Sequence, residues 1–359
     1  MSSPIVADDK LVMTAFDGGK LYTIAYDRTD GREIWRTEAP AKRIEGFHKT
    51  EGSPAASTPA TDGKLIVSYF GSCGLLCYDL TGKELWKVEM PPAELFGEFG
   101  SGVSPIIAED MVILVRDQKK NSRIHAFDLA TGAIRWEHDR KSPLSYCTPI
   151  VWNTSEEQQI VAAGHARIVG YDLKTGTEKW SASNVPSGCC SSPVIAGNIL
   201  FFAGGSSGES EDIEPQIPSF DSMLKDLDKD KDGALSRDEA EKASEGFFDN
   251  QDANQDGRIT RDEWEAIIEL YSEGKNSAFA LRLGGSGDVT ESPSPVAANG
   301  HVYLTSLEGA LTVLKVDAGK IVVVGSAKLG ERTAATPAIA DDTLFIRTEQ
   351  YLYAFAALK

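Results

Sequence analysis

The sequence is short of three things, and each shortage closes off a class of protein. Positive charge is the first: 36 Lys and Arg stand against 54 Asp and Glu, a formal charge of −18 at pH 7. A nucleic-acid surface needs a basic face, so neither DNA nor RNA is an expected partner. Cysteine is the second. Cys73, Cys77, Cys147, Cys189 and Cys190 are too few and too irregularly spaced for a disulfide framework or a zinc site. The third is any apolar run of membrane-spanning length, so no spanning helix is expected. The opening "MSSPIVADDK" also lacks the basic start and apolar stretch of a secretory signal.

What is there is unevenly placed. Residues 211–273 hold 20 acidic and 7 basic side chains, and the remainder is nearly balanced at 34 against 29. The acidity belongs to one segment.

Outside that segment the chain repeats. A Ser/Thr-Pro pair followed by a strand-like apolar run recurs seven times, at Pro4, Pro59, Pro105, Pro149, Pro193, Pro295 and Pro337. Successive spacings from Pro59 are 46, 44 and 44 residues, and the last is 42. Four of the runs are followed by a second element: "IAYDRTDGREIW", "LCYDLTGKELW", "HAFDLATGAIRW" and "VGYDLKTGTEKW". Each has an aromatic-Asp pair, a polar turn ending in Gly and a closing Trp. Gly supplies a positive φ and Asp can bond its own backbone, which suits a hairpin. A period in the mid-forties built from short strands predicts an all-β fold: a β-propeller of about seven four-stranded blades, with eight as the alternative. Trp35, Trp86, Trp136 and Trp180 are then expected to pack between neighbouring blades.

The interval from Pro193 to Pro295 is 102 residues, one period plus 58. The acidic segment has almost that length, so it reads as an insertion into one blade. The division expected is propeller at 1–212, an α-helical insertion at 213–273, and propeller again at 274–359.

Within the insertion, two stretches fit the twelve-residue calcium loop of an EF-hand. The first runs through Asp228, Asp230, Asp232, Gly233, Leu235 and Glu239; the second through Asp252, Asn254, Asp256, Gly257, Ile259 and Glu263. Calcium is a hard cation that takes six to eight oxygens. Short carboxylates or amides at positions one, three and five supply them, with the carbonyls of Ala234 and Arg258 at position seven. Ser236 and Thr260 act through water at position nine, and the position-twelve Glu closes the shell with both oxygens. Phe220, Leu224 and Leu227 share one face of an entering helix; Trp264, Ile267, Ile268 and Tyr271 form a stripe on the exiting one. Only twelve residues separate the loops. A continuous helix of that length, about 18 Å, would hold them apart, whereas a break at Gly246 would let them pair. Two Ca²⁺ ions are the expected cofactors.

At these residues the chain resembles bacterial PQQ-like (pyrroloquinoline-quinone-type) β-propellers carrying an inserted EF-hand pair. The Asp-to-Trp elements look like the tryptophan-docking motif of that superfamily. "GLLCYDLTGKELW", "GSGVSPI", "CCSSPVIAG" and "LGERTAATPAIADDTLFIRT" extend the likeness over nearly the whole chain. The superfamily includes quinoprotein dehydrogenases and an outer-membrane assembly lipoprotein. In the alcohol dehydrogenases a disulfide between adjacent cysteines lies over the quinone, so the resemblance implies that role for Cys189-Cys190 if PQQ binds here; packed, reduced cysteines are the plainer reading. Relatives of this kind are exported and have upstream sequence, while this chain starts at a repeat's first strand. The repeat before "SPSP" lacks its Gly-to-Trp strand, and the last repeat ends at "YLYAFAALK" without one. The expectation is that the natural protein has residues before Met1, supplying a closing strand and an export signal, and is periplasmic or secreted.

Other catalytic signals are slight. "GGSSG" at 204–208 fits a nucleophile-elbow pattern but lacks the strand-turn-helix context. His48, His125, His138, His165 and His301 are scattered without metal spacing, and His48 lies in a polar connection. The function expected is a calcium-binding, non-catalytic interaction or scaffold module, with a protein or small-molecule ligand at the propeller face. The alternative is a PQQ-dependent quinoprotein oxidoreductase.

Overall fold

The Ser/Thr-Pro pairs at Pro4, Pro59, Pro105, Pro149 and Pro193 lead straight into a strand, because proline holds the preceding residue extended and contributes no N–H of its own. The computed structural model describes residues 2–47, 52–95, 99–154, 157–183, 185–196, 199–204, 218–240, 248–252, 256–272, 277–281, 296–298, 300–305, 309–317, 320–331, 338–340, 343–348 and 350–356. In them the repeats form seven antiparallel sheets whose strands follow one another in chain order.

Four-stranded sheets are built from Ile5–Ala7, Lys10–Asp17, Lys20–Asp27 and Glu33–Ala39; from Ala60–Thr61, Leu65–Phe70, Gly74–Asp79 and Glu84–Glu89; and from Ile106–Ala108, Met111–Arg116, Arg123–Asp128 and Ile134–Asp139. The fourth has Ile150–Asn153, Gln158–Gly164, Arg167–Asp172 and Glu178–Ser183. The sixth has Val296–Ala298, His301–Thr305, Ala310–Asp317 and Lys320–Lys328. Among the described residues the fifth sheet (Val194–Ala196, Ile199–Gly204, Ser277–Leu281) and the seventh (Ala338–Ala340, Thr343–Arg347, Leu352–Ala356) have three strands. No Trp follows the third strand in the fifth, sixth or seventh repeat of this sequence, and the sixth forms its fourth strand, Lys320–Lys328, without one.

The core lies between sheets. Val67, Tyr69 and Leu75 of the second sheet pack with Val112, Leu114 and Phe127 of the third and Ile160 and Val169 of the fourth, all buried. Similar clusters join the first sheet to the second, the fourth to the fifth, the fifth to the sixth and the sixth to the seventh. Stacking of this kind makes the fold a β-propeller.

Two sets of hydrogen bonds fix the stacking. The first was not legible in the motif that carries it. The residue before each of the first four prolines donates its N–H to the hydroxyl of its counterpart one repeat later: Ser3 to Thr58 (3.1 Å), Thr58 to Ser104 (2.9 Å), Ser104 to Thr148 (3.1 Å) and Thr148 to Ser192 (3.0 Å). Serine and threonine recur there because the neighbouring backbone needs an acceptor.

The second set is the tryptophan docking. Trp35, Trp86 and Trp136 donate their indole N–H to the carbonyls of Leu80, Leu129 and Leu173 in the next sheet's turn, at 3.1, 3.0 and 3.2 Å. A one-residue bulge beside each Trp re-aims the strand. The glycine of the receiving turn is obligatory twice over. Gly82, Gly132 and Gly176 have φ of +84°, +73° and +69°, and a Cβ there would lie 2.5, 2.7 and 2.3 Å from the docked indole. The turn's Asp accepts from Thr: Asp79 from the Thr81 amide (2.8 Å) and Asp128 from the Thr131 amide (2.9 Å). The Thr131 hydroxyl and Arg135 hold the Asp128 carboxyl down at about 2. Trp180 packs against the cluster that joins the fourth sheet to the fifth, and its indole donates to Gln159 of its own sheet at 2.7 Å.

Candidate metal centre

The acidic segment leaves and rejoins the fifth sheet at a single point. Gly204, at the end of one strand, is the ladder partner of Ser277, at the start of the next. Between them the chain forms α1 (Phe220–Leu227), α2 (Arg237–Ala240), α3 (Phe248–Gln251) and α4 (Arg261–Ser272). Ser219 caps α1, accepting the Ser222 N–H. Phe220, Met223, Leu235, Ala240, Phe248, Ile259 and Trp264 form a separate core, with Leu224, Leu227, Ile267 and Ile268 against it. These include the residues of both expected helical stripes except Tyr271, whose side chain lies outside the described residues. Trp264 donates its indole N–H to the Pro218 carbonyl (2.7 Å), tying the end of the module to its beginning.

The two loops pair. Leu235–Ser236 and Arg258–Ile259 form a two-stranded antiparallel ladder, Leu235 opposite Ile259 and Ser236 opposite Arg258. A continuous helix between the loops would have prevented this, so of the two arrangements open from the sequence the paired one holds. Gly246 and Asn254 lie outside the described residues, as do His48 and residues 205–208.

Each loop turns its carboxylates inward in the same way. Asp228 accepts the N–H groups of Lys231 (2.7 Å) and Gly233 (3.1 Å); Asp252 accepts those of Asp256 (3.1 Å) and Gly257 (2.8 Å). Gly233 and Gly257 both have φ +85°, the sharp turn that position six requires. Asp232 accepts the Ala234 N–H (3.0 Å) and Asp256 the Arg258 N–H (3.0 Å). Glu239 takes the amide (2.9 Å) and hydroxyl (2.6 Å) of Ser236, and Glu263 those of Thr260 (2.8 and 2.7 Å). In both loops the Ser or Thr donates twice to the same Glu, and these helix-start contacts aim the position-twelve carboxylate back at its loop. Hydrogen bonding by Ser236 holds the Glu239 carboxyl well below its usual range, at about 2. Carboxylate oxygens of Asp228, Asp230 and Asp232 lie within 4.8 Å of one another. Hard oxygens converging at that separation fit calcium, and no other His/Cys/Asp/Glu group among the described residues converges in this way. Ala234 is buried and Arg258 exposed.

One feature escaped the sequence reading. The Arg258 guanidinium contacts the Asp232 carboxylate of the other loop. Position seven counts only for its carbonyl, so its side chain drew no attention; pairing of the loops is what carries it across.

The sheets hold a second polar centre that the sequence did not signal. Glu45, 3% exposed, follows the first sheet and accepts the Ser101 amide (2.9 Å) and hydroxyl (2.7 Å). Its own N–H donates to the Ser72 hydroxyl (3.0 Å). Burial pushes its carboxyl up to about 7, against the pull of Ser101 and Arg116. Nearby, Arg140 and Asp117 form a buried ion pair (2.7 and 3.0 Å), and Arg140 also donates to the Tyr171 hydroxyl (2.6 Å). Both centres clamp successive sheets together. Of the cysteines raised by the resemblance, Cys189 is buried with its thiol toward the Pro186 carbonyl and Cys190 is exposed, and both are free thiols. The described histidines stand apart: burial takes His125 down to about 4, and His138 bonds the Thr175 carbonyl at 2.8 Å.

Comparison with known proteins agrees with the fold. Residues 20–215 match the family model for PQQ repeats described as outer membrane protein assembly factor BamB. Residues 220–239 and 245–268 match the EF-hand model. No curated protein matches the sequence. Among solved structures, a europium-containing methanol dehydrogenase is 12% identical with a TM-score of 0.57, covering 96% of this chain and 72% of its own. BamB from Moraxella catarrhalis is also 12% identical, with a TM-score of 0.47 over 98% of this chain and 92% of its own. At such identity the dehydrogenase bears on the fold alone.

Proposed function

The chain belongs to the PQQ-repeat family described as outer membrane protein assembly factor BamB, and from that premise we propose that it is a calcium-binding propeller acting as a non-catalytic interaction or scaffold module. The propeller is formed by residues 1–212 and 274–359, and the module at 213–273 holds two calcium ions. The observation that carries this reading is the pair of loops joined at Leu235 and Ile259, with the carboxylates of Asp228, Asp230 and Asp232 converging in the first. In loop one the ligands are Asp228, Asp230, Asp232, the Ala234 carbonyl and Glu239. In loop two they are Asp252, Asn254, Asp256, the Arg258 carbonyl and Glu263. The family's description supports a protein partner at the propeller face and a place outside the cytoplasm. No described helix is long and apolar enough to cross a membrane. The different settings of Cys189 and Cys190 favour this reading over a quinone-dependent oxidoreductase.

Calcium binding to the folded module stabilises it by RT ln(1 + [L]/Kd), about 2.7 kcal/mol per site at a hundredfold excess over Kd. Titration calorimetry of the full chain should show two binding events, both lost in the Glu239→Gln, Glu263→Gln double variant. Unchanged calcium binding by that variant would remove the site assignment.

A further inference from the structure

The outer strand of the sixth sheet differs from the four outer strands that carry a tryptophan. Those four set charge along their free edge, much of it paired: Arg36 with Glu33 (2.8 Å), Lys87 with Glu89 (2.8 Å), Arg123 with Glu137 (2.8 Å) and Arg167 with Glu178 (2.6 Å). Charge on an edge discourages a further strand from adding to it. Lys320–Lys328 reads KIVVVGSAK, with no charge between its ends. Ile321, Val322, Val323 and Val324 are 37%, 44%, 63% and 49% exposed. The strand closes its sheet's order, so its far side has no neighbour among the described residues. The bulges put the outer strands in a common register. Trp35 pairs with Ala25 and Glu33 with Tyr26, Ile34 being the extra residue; Gly325 pairs with Val313 and Val323 with Leu314, Val324 being the extra one. Val323 therefore stands where Glu33, Glu84, Ile134 and Glu178 stand in the other sheets. Gly325 takes the tryptophan's place, and a Cβ there would meet nothing nearer than 3.8 Å. An exposed apolar bulge residue is ordinary in this fold, as Ile34 and Leu85 show. The departure lies in the run before it.

We propose that this edge docks an extended segment of a partner protein, apolar in its middle and acidic at both ends, which adds to the sixth sheet as a further strand. This rests on the interaction-module reading above and names the surface that does the work. A second copy of this chain is the competing occupant, and the strand's own ends count against it. Twofold antiparallel pairing centred on Val324 would set residue 320 opposite residue 328, lysine opposite lysine. Like charges directly opposite are destabilising. One nine-residue strand is also a small part of the roughly 800 Å² that each partner buries in a stable dimer. The same two lysines favour a segment with acids at its ends. In strand addition the main-chain hydrogen bonds supply affinity, and the side chains along the edge supply specificity. Here the exposed valines select apolar, β-branched neighbours.

The test is fluorescence anisotropy of a dye-labelled peptide, DVTVTVTVD, titrated with the full chain. The peptide has the strand's length and reads the same in both directions. Saturable binding is expected, about fivefold or more tighter than that of the same peptide with lysine ends, because two cross-strand charge pairs change sign. N-methylating every second amide of the peptide removes the donors that strand addition uses and should abolish binding. Val322→Arg together with Val323→Glu rebuilds the charge of Arg32 and Glu33 on this edge. That variant should bind about tenfold or more weakly, because each new charge is left unpaired against an apolar strand. Its circular dichroism and urea midpoint should be unchanged, since both side chains are exposed. Equal binding of the acid-ended and lysine-ended peptides overturns the inference, as does binding that survives N-methylation or the double variant. Absence of saturable binding by the unaltered chain overturns it too, and leaves standing both calcium binding and a partner elsewhere on the propeller. A dimer in sedimentation that the double variant abolishes would give the edge to a second copy and overturn it as well.

Discussion

The propeller sheets and the helical module are stabilised by opposite means. The sheets bury long apolar interfaces, and between them indole N–H groups meet backbone carbonyls while backbone N–H groups meet Ser and Thr hydroxyls. The module buries only a small core and sets the carboxylates of Asp228, Asp230 and Asp232 close together. The first arrangement is held by apolar contacts between sheets; the second sets acids side by side that an ion would relieve. On the calcium reading, the same chain thus contains one region held by its own apolar contacts and one whose stability depends on the ion it binds.

The largest effect expected of a single change tests the self-sufficiency of the sheets. Trp86 is 9% exposed, docks over Gly132 and donates to Leu129. Trp86→Ala should destabilise the propeller by about 3 to 5 kcal/mol, the range for deleting a large buried aromatic. Trp180→Ala should cost less, because that indole bonds within its own sheet. Urea unfolding of the two variants side by side makes the comparison, and equal losses would mean that inter-sheet docking adds nothing.

Why some of this could be read from the sequence and some could not follows from the range of each interaction. The Asp-to-Gly turns and the calcium loops are local: every residue needed lies within a dozen positions, and glycine is forced by backbone geometry. The clamp at Glu45 is not. It joins Glu45 to Ser101 and Ser72, residues with no pattern in common, and only sheet stacking brings them together. The Ser/Thr-Pro pairs fall between. Their recurrence was plain, but their hydroxyls act on the preceding repeat, a relation visible only once the sheets are side by side. Arg258 shows the same limit inside the module.

Proton binding separates the regions again. The Glu45 carboxyl sits at about 7, above its ordinary 4.5, so the folded chain holds a proton that the unfolded chain releases. Stability from this group is complete below about pH 4.5 and is lost as the pH rises through 7. Glu239 runs the other way: its carboxyl is lowered, so its contribution is present above 4.5 and lost toward about 2. Glu45→Gln keeps an acceptor for Ser101 without a charge to bury. It should match the unaltered protein near pH 4 and exceed it at pH 8 by about 2 to 3 kcal/mol. Denaturant midpoints at the two pH values measure this. Parallel loss of stability in both proteins would assign the pH dependence to other groups.

The smallest effect expected is the one that decides whether the two regions are independent. Gly204 and Ser277 are partners in the fifth sheet's ladder, so the chain leaves and returns at adjacent points. Replacing residues 205–276 with Asn-Gly joins the strands by a two-residue hairpin turn, whose twist matches the strands it connects. The module closes on itself through Trp264 and Pro218, so its removal exposes no core of the sheets. Shortening the connection reduces the entropy of closing the hairpin. Each halving of loop length returns only about 0.6 kcal/mol, and the folded module already holds most of the long connection together. The shortened chain should therefore keep its β-type circular dichroism and unfold about 1 to 2 kcal/mol later than the parent in calcium-free buffer. A lower midpoint, or loss of the β spectrum, would show that the helices support the fifth sheet. The division between a self-sufficient propeller and a ligand-dependent module would then have to be redrawn around the strands Ile199–Gly204 and Ser277–Leu281.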